Sequence, residues 1–150
     1  MARLFETFVA EWLGKKLPRG ILMKEQATVQ IGFLNKVDFR IDLLLTERNT
    51  GRALCILDTK YKTGSPPSSD DLQQVIAYAK ACECKEAILV YPHVLDRPFE
   101  GVVGDDIHVR TMAFNLSGDL EANGASFLKE FMNVIRIHPG ACIINDQVSN

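Results

Sequence analysis

Apolar and polar residues alternate along this chain with a period that changes from segment to segment. Residues 2–16 repeat apolar side chains at spacings of three and four, which predicts an amphipathic helix ending before Pro18. Residues 28–34 and 37–46 alternate with a period of two, as β-strands do. Residues 53–61 begin with a run that is apolar on both faces, which is typical of a central strand. Together the three strands predict an antiparallel meander.

The second half of the chain predicts helices and strands in alternation. An apolar stripe indicates a helix over about residues 70–82, and residues 86–92 follow as a short buried strand. After a helix, such a strand is expected to lie parallel to the preceding one through a right-handed crossover. Residues 94–105 are predicted as loop, residues 106–114 as a last strand and residues 125–136 as a long helix. The pattern therefore predicts an α/β fold in which helices flank a mixed central sheet.

The composition suits one globular domain. The chain has 150 residues, of which 47% are hydrophobic and 24% charged, and a chain of this length can bury a core without disulfides. The formal net charge of −2 lacks the basic signature of a simple nucleic-acid coat protein, although acidic metal ligands would lower this sum. No apolar run reaches the ~18–20 residues that span a bilayer, and no signal peptide is visible. We expect a cytoplasmic protein with no membrane partner, a domain over residues 1–140 and a tail over residues 141–150.

Three polar residues stand where the apolar strands begin or end. Asp42 precedes the apolar end of one predicted strand, and Asp58 and Lys60 close the next one. A spacing of two puts Asp58 and Lys60 on the same face of their strand. If the two strands form a hairpin, Asp42 and Asp58 converge, and paired carboxylates are ligands that Mg²⁺ prefers. A lysine beside them can position a water or offset charge on a phosphate, although polar residues at strand ends are also common without any catalytic role.

Further polar residues accompany this group. Gln74 and Tyr78 are four residues apart, hence on one face of their predicted helix, where they can brace a lysine or touch a phosphate. Glu6 lies at the margin of the buried stripe of the first helix. Taken singly, Gln74 and Tyr78 also fit an ordinary polar helix flank, and Glu6 fits a solvated residue. Their order along the chain favours the catalytic interpretation.

Other kinds of chemistry have weaker support in the sequence. The cysteines include no CxxC pair, so Cys82 and Cys84 are interpreted as reduced thiols in preference to an iron–sulfur or zinc site. His108 follows Asp105 and Asp106 closely enough for a His–carboxylate metal site, but a loop or strand cap is the simpler interpretation.

Four segments carry the polar residues discussed above, and these are LFETFV at 4–9, RIDLLL at 40–45, LDTKYK at 57–62 and DLQQVIAYA at 71–79. Through these segments the chain resembles the PD-(D/E)xK nucleases over about residues 3–92, and in particular the McrC nuclease domain of the 5-methylcytosine restriction system. The Gln-x-x-x-Tyr element is shared with RecB-type nucleases, and Ile41 stands where the family pattern has proline, which supplies no ligand.

The resemblance implies a restriction-endonuclease-like fold and the hydrolysis of phosphodiester bonds in DNA with Mg²⁺ or Mn²⁺. It also implies DNA as partner, with a homodimer and a partner NTPase subunit as further expectations. Lys15 and Lys62 are candidate phosphate contacts or merely solvated lysines. The implied roles are metal binding by Asp42 and Asp58, metal or water binding by Glu6, activation of the nucleophile by Lys60, and support of Lys60 or the substrate by Gln74 and Tyr78.

Two alternatives to a DNA nuclease stay open at this point. One is a nuclease-like fold that serves as a DNA-binding or assembly module without catalysis. The other is a metal-dependent hydrolase of a substrate other than nucleic acid, for which the sequence contains no motif. The presence of every expected catalytic residue type favours the enzyme.

Overall fold

A computed structural model describes residues 2–61, 67–104 and 106–137, with side chains to residue 135. The order of elements is a helix, three strands, a helix, three strands and a helix. Their bounds are α1 Ala2–Lys16, β1 Ile21–Ile31, β2 Val37–Glu47, β3 Ala53–Thr59, α2 Ser69–Ala81, β4 Glu86–Tyr91, β5 Glu100–Val103, β6 Ile107–Ala113 and α3 Leu120–Ile137.

The six strands form one mixed sheet in the order β1-β2-β3-β4-β6-β5. Strands β1, β2 and β3 are antiparallel neighbours, which confirms the predicted meander. Strand β4 lies parallel to both β3 and β6, and β5 closes the far edge antiparallel to β6. The predicted α/β fold with a mixed sheet flanked by helices is therefore confirmed.

Several predicted boundaries were wrong. Residues 94–105 were predicted as loop, but Glu100–Val103 forms β5, a short edge strand that exists through its pairing with β6. Strand β1 begins at Ile21 and α3 at Leu120, in both cases well before the predicted start. In β1 the first residues mix charged and apolar side chains because this edge strand is largely exposed, so the period-two signal there is weak.

Helices cover both faces of the sheet. Helices α1 and α3 pack on one face together with Cys55 and Leu57, and α2 packs on the other face together with Ile56. Because β3 and β4 are covered on both sides, all six residues of β4 are buried. Where α1 meets α3, Gly124 lies so close to Trp12 that a Cβ atom would come within 2.4 Å of the indole ring. The glycine therefore allows the two helices to pack closely.

Helix α2 starts with a capping box at the end of the sheet where β3 terminates. The hydroxyl of Ser68 accepts a hydrogen bond from the backbone N–H of Asp71 at 3.1 Å, and the Asp71 carboxylate accepts one from the backbone N–H of Ser68 at 3.4 Å. Val75 and Ala79 are buried against the sheet. This docking fixes which face of α2 lies above the end of β3. In the described part of the chain, no helix is long and apolar enough to cross a membrane.

Candidate active site

The two predicted carboxylates lie where β2 and β3 separate. The backbone pairing of the two strands ends at Leu43 and Leu57, so Asp42 and Asp58 are the next residues on each strand. Beyond that point the Asp42 side chain bridges the strands, since its Oδ2 accepts hydrogen bonds from the backbone N–H of Thr59 at 2.9 Å and from the Thr59 hydroxyl at 3.0 Å. The Asp42 carboxylate thus has a fixed position beside Asp58.

Asp58 is a buried carboxylate that lacks full compensation for its charge. Its burial, followed by the negative charge of Asp42, raises its pKa from 3.8 to about 6. Lys60 Nζ lies 2.8 Å from Asp58 Oδ2, and this contact lowers the pKa of Asp58 but does not cancel the effects of burial and of Asp42. A second cation between the two carboxylates would offset the repulsion between Asp42 and Asp58 and favour the ionised form of both groups. The pair therefore fits a hard divalent cation.

Lys60 is held by three side chains from two elements. Besides its ion pair with Asp58, its ammonium lies 3.6 Å from Oδ1 of Asp71 and donates a hydrogen bond to Oε1 of Gln74 at 2.9 Å. Burial lowers the pKa of Lys60, but the close contact and charge of Asp58 and the charges of Asp71 and Asp42 outweigh it, so the net shift is upward. Lys60 therefore stays an ammonium ion at neutral pH.

Gln74 and Tyr78 both face the acidic pair from α2. Gln74 contacts Lys60 directly, as described above. The pKa of Tyr78 is raised by burial and then by the charge of Asp58, while a hydrogen bond with Gln74 lowers it. The Tyr78 ring also packs against Phe39 of β2, with 5.5 Å between the ring centres. Tyr78 thus joins α2 to β2 at the edge of the site.

Glu6 approaches the site from α1 but is held by a different partner. Burial and the charge of Asp42 raise its pKa, and its carboxylate accepts a hydrogen bond from the side-chain amide of Gln26. Within the described residues, no three Asp, Glu, His or Cys side chains are grouped so that they could hold one ion together. The structure therefore brings Asp42 and Asp58 together and places Glu6 beside Asp42, bound to Gln26.

Gln26 itself has an unusual backbone. Its φ of 51° lies in the left-handed region, in the middle of β1, and the register between its neighbours places it opposite Asp42. Strained residues of this kind persist where the surrounding structure holds them, and they are concentrated at functional sites. Nothing in the local sequence around Gln26 predicted its left-handed backbone or its hydrogen bond to Glu6.

Two further residues near the site were missed by the sequence interpretation. Asp71 is buried and contacts Lys60, and the Ser-x-x-Asp spacing of its capping box was a signal that could have drawn attention to it. The hydroxyl of Tyr91 is buried and, within the described residues, has no hydrogen-bond partner. Burial and then the charges of Asp71 and Asp58 raise the pKa of Tyr91 to about 12, so it is a neutral phenol beneath the acidic pair.

The alternative metal chemistry receives no support in the described residues. His108 contacts Glu100 at 3.0 Å and Arg110 at 2.9 Å, and forms no metal cluster in that part of the chain. Cys82 and Cys84 form no disulfide within the described residues. Lys15 is exposed at the end of α1. The remaining candidates lie outside the described residues, and these are Lys62, Asp105 and the tail over residues 141–150.

Comparison with known proteins gave matches to one family and to solved structures with the same fold. The family described as McrBC 5-methylcytosine restriction system component matches residues 1–92. No match was found among the curated proteins. A similar solved structure is a half-complex from a tetradecameric assembly of Thermococcus gammatolerans McrB AAA+ hexamers with bound McrC, with a TM-score of 0.65 and 21% identity. The match covers 87% of this chain and 33% of that one, so this chain spans about a third of its length.

Proposed function

Because the chain belongs to the McrBC 5-methylcytosine restriction system component family, we propose that it is a metal-dependent nuclease of the PD-(D/E)xK type that hydrolyses phosphodiester bonds in DNA. The observation that carries this proposal is the convergence of Asp42 and Asp58 where two strands separate, with the ammonium of Lys60 2.8 Å from Asp58. A cation site beside a fixed ammonium is the arrangement that stabilises a phosphate under attack.

Mg²⁺ or Mn²⁺ is the cofactor that the donor set fits. Asp42 and Asp58 would hold the ion through carboxylate oxygens, and the repulsion between these two neighbouring carboxylates, which raises the pKa of Asp58, is the strongest reason to place it there. Glu6 would contribute through a bound water or after a change of partner, since its carboxylate now contacts Gln26. When bound, such an ion polarises a phosphate oxygen and lowers the pKa of a water ligand.

Lys60 acts in this mechanism as a fixed positive charge. A general base would have to be neutral at the working pH, whereas the upward shift in the pKa of Lys60 keeps it protonated. The ammonium can therefore orient the attacking water and stabilise the negative charge that develops on the phosphoryl oxygens. Gln74 and Asp71 hold the ammonium in place from α2, which reduces the reorganisation that catalysis requires.

The proposal extends to partners. The similar solved structure consists of McrB AAA+ hexamers with bound McrC, and we infer that this chain likewise acts with an NTPase subunit in a restriction system. DNA is the substrate partner. The residues described above make up one active site per chain, so cutting both strands of a duplex at one place would require two copies, and we propose a homodimer for that step.

Cleavage of supercoiled plasmid DNA tests the nuclease function. The protein is incubated with plasmid in Mg²⁺, in Mn²⁺ and in EDTA, alongside Asp58→Asn, Lys60→Ala and the control Lys129→Ala, which removes an exposed lysine of α3. We expect metal-dependent cleavage by the wild type and the control, and none by the two site variants. Binding of DNA without cleavage in either metal, with or without an NTPase partner, would instead favour the non-catalytic module.

A further inference from the structure

The hairpin of β1 and β2 projects beyond the rest of the sheet at the candidate site. Pairing between β2 and β3 ends at Leu43, but pairing between β1 and β2 continues to Ile31 and Val37. From Asp42 to Val37 the strand advances about 17 Å at roughly 3.4 Å per residue. A two-stranded ribbon therefore leads away from the acidic pair into solvent.

The tip of this ribbon presents two large apolar side chains to solvent. Phe33 is 97% exposed and Leu34 is 95% exposed. The turn that carries them is tight, because Gly32 has a φ of +95° and a Cβ atom there would lie 2.7 Å from the carbonyl oxygen of Asn35. Contiguous exposed apolar side chains of this kind indicate a contact surface.

We propose that Phe33 and Leu34 form an apolar wedge that enters a groove of the DNA duplex and separates adjacent base pairs. The inference rests on the proposed nuclease function, since it assumes that a phosphodiester lies at Asp42 and Asp58. A ribbon of two strands fits a groove of DNA, and Phe and Leu are side chains that unstack base steps.

The dimensions and charges of the ribbon favour DNA over a protein partner. The distance of about 17 Å from Asp42 to Val37 corresponds to roughly five base pairs at 3.4 Å each, so the tip, which lies just beyond Val37, meets the same duplex about half a helical turn from the cut. Lys36 at the tip and Arg40 on β2 are exposed cations that can contact phosphates on either side of the wedge. The nearby Asp38 carboxylate, which accepts a hydrogen bond from Gln30 at 3.1 Å, leaves the two cations in excess by one charge over residues 32–40.

A double variant of the tip tests this wedge. Phe33→Ser with Leu34→Ser should fold normally, because both side chains are exposed. The matched control is Val102→Ser, which removes an apolar side chain, 62% exposed, from β5 at the opposite edge of the sheet. Affinity for a fluorescein-labelled duplex is measured by anisotropy in Ca²⁺, and DNA bending by energy transfer between dyes on the two ends.

We expect wild-type protein and the Val102→Ser control to bind and bend the duplex. The double variant should bind about tenfold more weakly and leave the duplex straight, and Phe33→Trp should retain the bend. Affinity for Mn²⁺, measured by calorimetry, should be the same in the wild type and in all three variants because the tip does not touch the proposed metal ligands.

Three results would overturn the wedge. If the double variant binds and bends DNA as the wild type does, the wedge is wrong while the nuclease function stands. If it changes only self-association in sedimentation velocity, with DNA binding intact, the tip is a protein contact. If the wild type neither binds nor cleaves DNA, both the wedge and the proposed function fail.

Discussion

The ammonium of Lys60 donates a hydrogen bond of 2.9 Å to the side-chain carbonyl of Gln74, fourteen residues further along the chain. Lys60 follows the end of β3 and Gln74 lies on α2, so the contact exists only because α2 docks above the end of that strand. The same ammonium contacts Asp71, which belongs to the capping box of α2. The start of one helix therefore determines where the positive charge of the candidate site lies.

If Gln74 positions Lys60, its removal should lower the rate of cleavage and leave metal binding unchanged. We expect Gln74→Ala to cleave DNA about tenfold more slowly, since a misplaced ammonium stabilises the transition state less well. The matched control is Gln73→Ala, which removes an exposed glutamine from the adjacent position. Single-turnover rates and Mn²⁺ calorimetry separate the two effects, and equal rates in Gln74→Ala and Gln73→Ala would contradict the role.

Tyr78 should have a smaller effect than Gln74. Tyr78→Phe retains the ring that packs on Phe39 and removes only the hydroxyl that faces Gln74 and the acidic pair. We expect a loss of about two- to fivefold in the rate of cleavage, with an unchanged melting temperature. A wild-type rate in Tyr78→Phe, together with a large loss in Tyr78→Ala, would mark Tyr78 as a packing residue.

Lys60 should matter for the chemical step far more than for metal binding. Lys60→Ala should slow cleavage by about a hundredfold or more, because a fixed charge at the reacting phosphate is lost. Lys60→Arg should restore little activity, since a planar guanidinium does not occupy the position of a compact ammonium. Mn²⁺ affinity should be unchanged or slightly higher in both variants, and full activity in Lys60→Ala would refute the mechanism.

Asp58 should destabilise the metal-free protein at neutral pH. Because its pKa is higher in the folded state, folding favours the protonated carboxyl. This stabilisation of the folded state is fully present below about pH 3.8 and is lost as the pH rises through about 6. Asp58→Asn should therefore leave the free energy of unfolding at neutral pH unchanged or raise it by at most about 3 kcal/mol, and abolish metal binding. Urea unfolding in EDTA measures this, with Asp96→Asn on the exposed loop as control. A large loss of stability in Asp58→Asn would identify Asp58 as a structural residue.

Protons should compete with the metal ion in the pH range set by Asp58. Because its pKa is raised to about 6, Asp58 is protonated below that pH in the metal-free protein. Affinity for Mn²⁺ should fall by about tenfold per pH unit below 6 and level off above it. Calorimetry at a series of pH values measures the slope, and an affinity that does not change between about pH 5 and pH 7 would exclude Asp58 as a ligand.

The left-handed backbone of Gln26 can be tested apart from its side chain. Both Gln26→Ala and Gln26→Gly remove the hydrogen bond to Glu6, but only glycine adopts a φ of 51° without strain. We expect Gln26→Gly to be more stable than Gln26→Ala by about 1 kcal/mol. If the two variants unfold at the same urea concentration, the inference that the backbone is strained at Gln26 is wrong.

Local sequence was sufficient to locate the elements that carry the candidate chemistry. Period-two alternation located β2 and placed Asp42 on it, and the apolar run of β3 ended at Asp58 and Lys60. These assignments succeeded because helices pack on β2 and β3, so the positions that face the helices must be apolar. The stripe of α2 likewise indicated that Gln74 and Tyr78 share one face.

The surroundings of these residues, in contrast, depend on how the elements pack. The hydrogen bond between Gln26 and Glu6 joins residues twenty positions apart. The contact of Asp71 with Lys60 and the effect of Asp58 on the pKa of Tyr91 depend on how α2 and β4 pack. Strand β5 likewise forms through its pairing with β6, because its four partly exposed residues show too little alternation for a strand to be predicted from sequence. The raised pKa of Asp58 has the same origin, because burial and the approach of Asp42 are consequences of packing and not of local sequence.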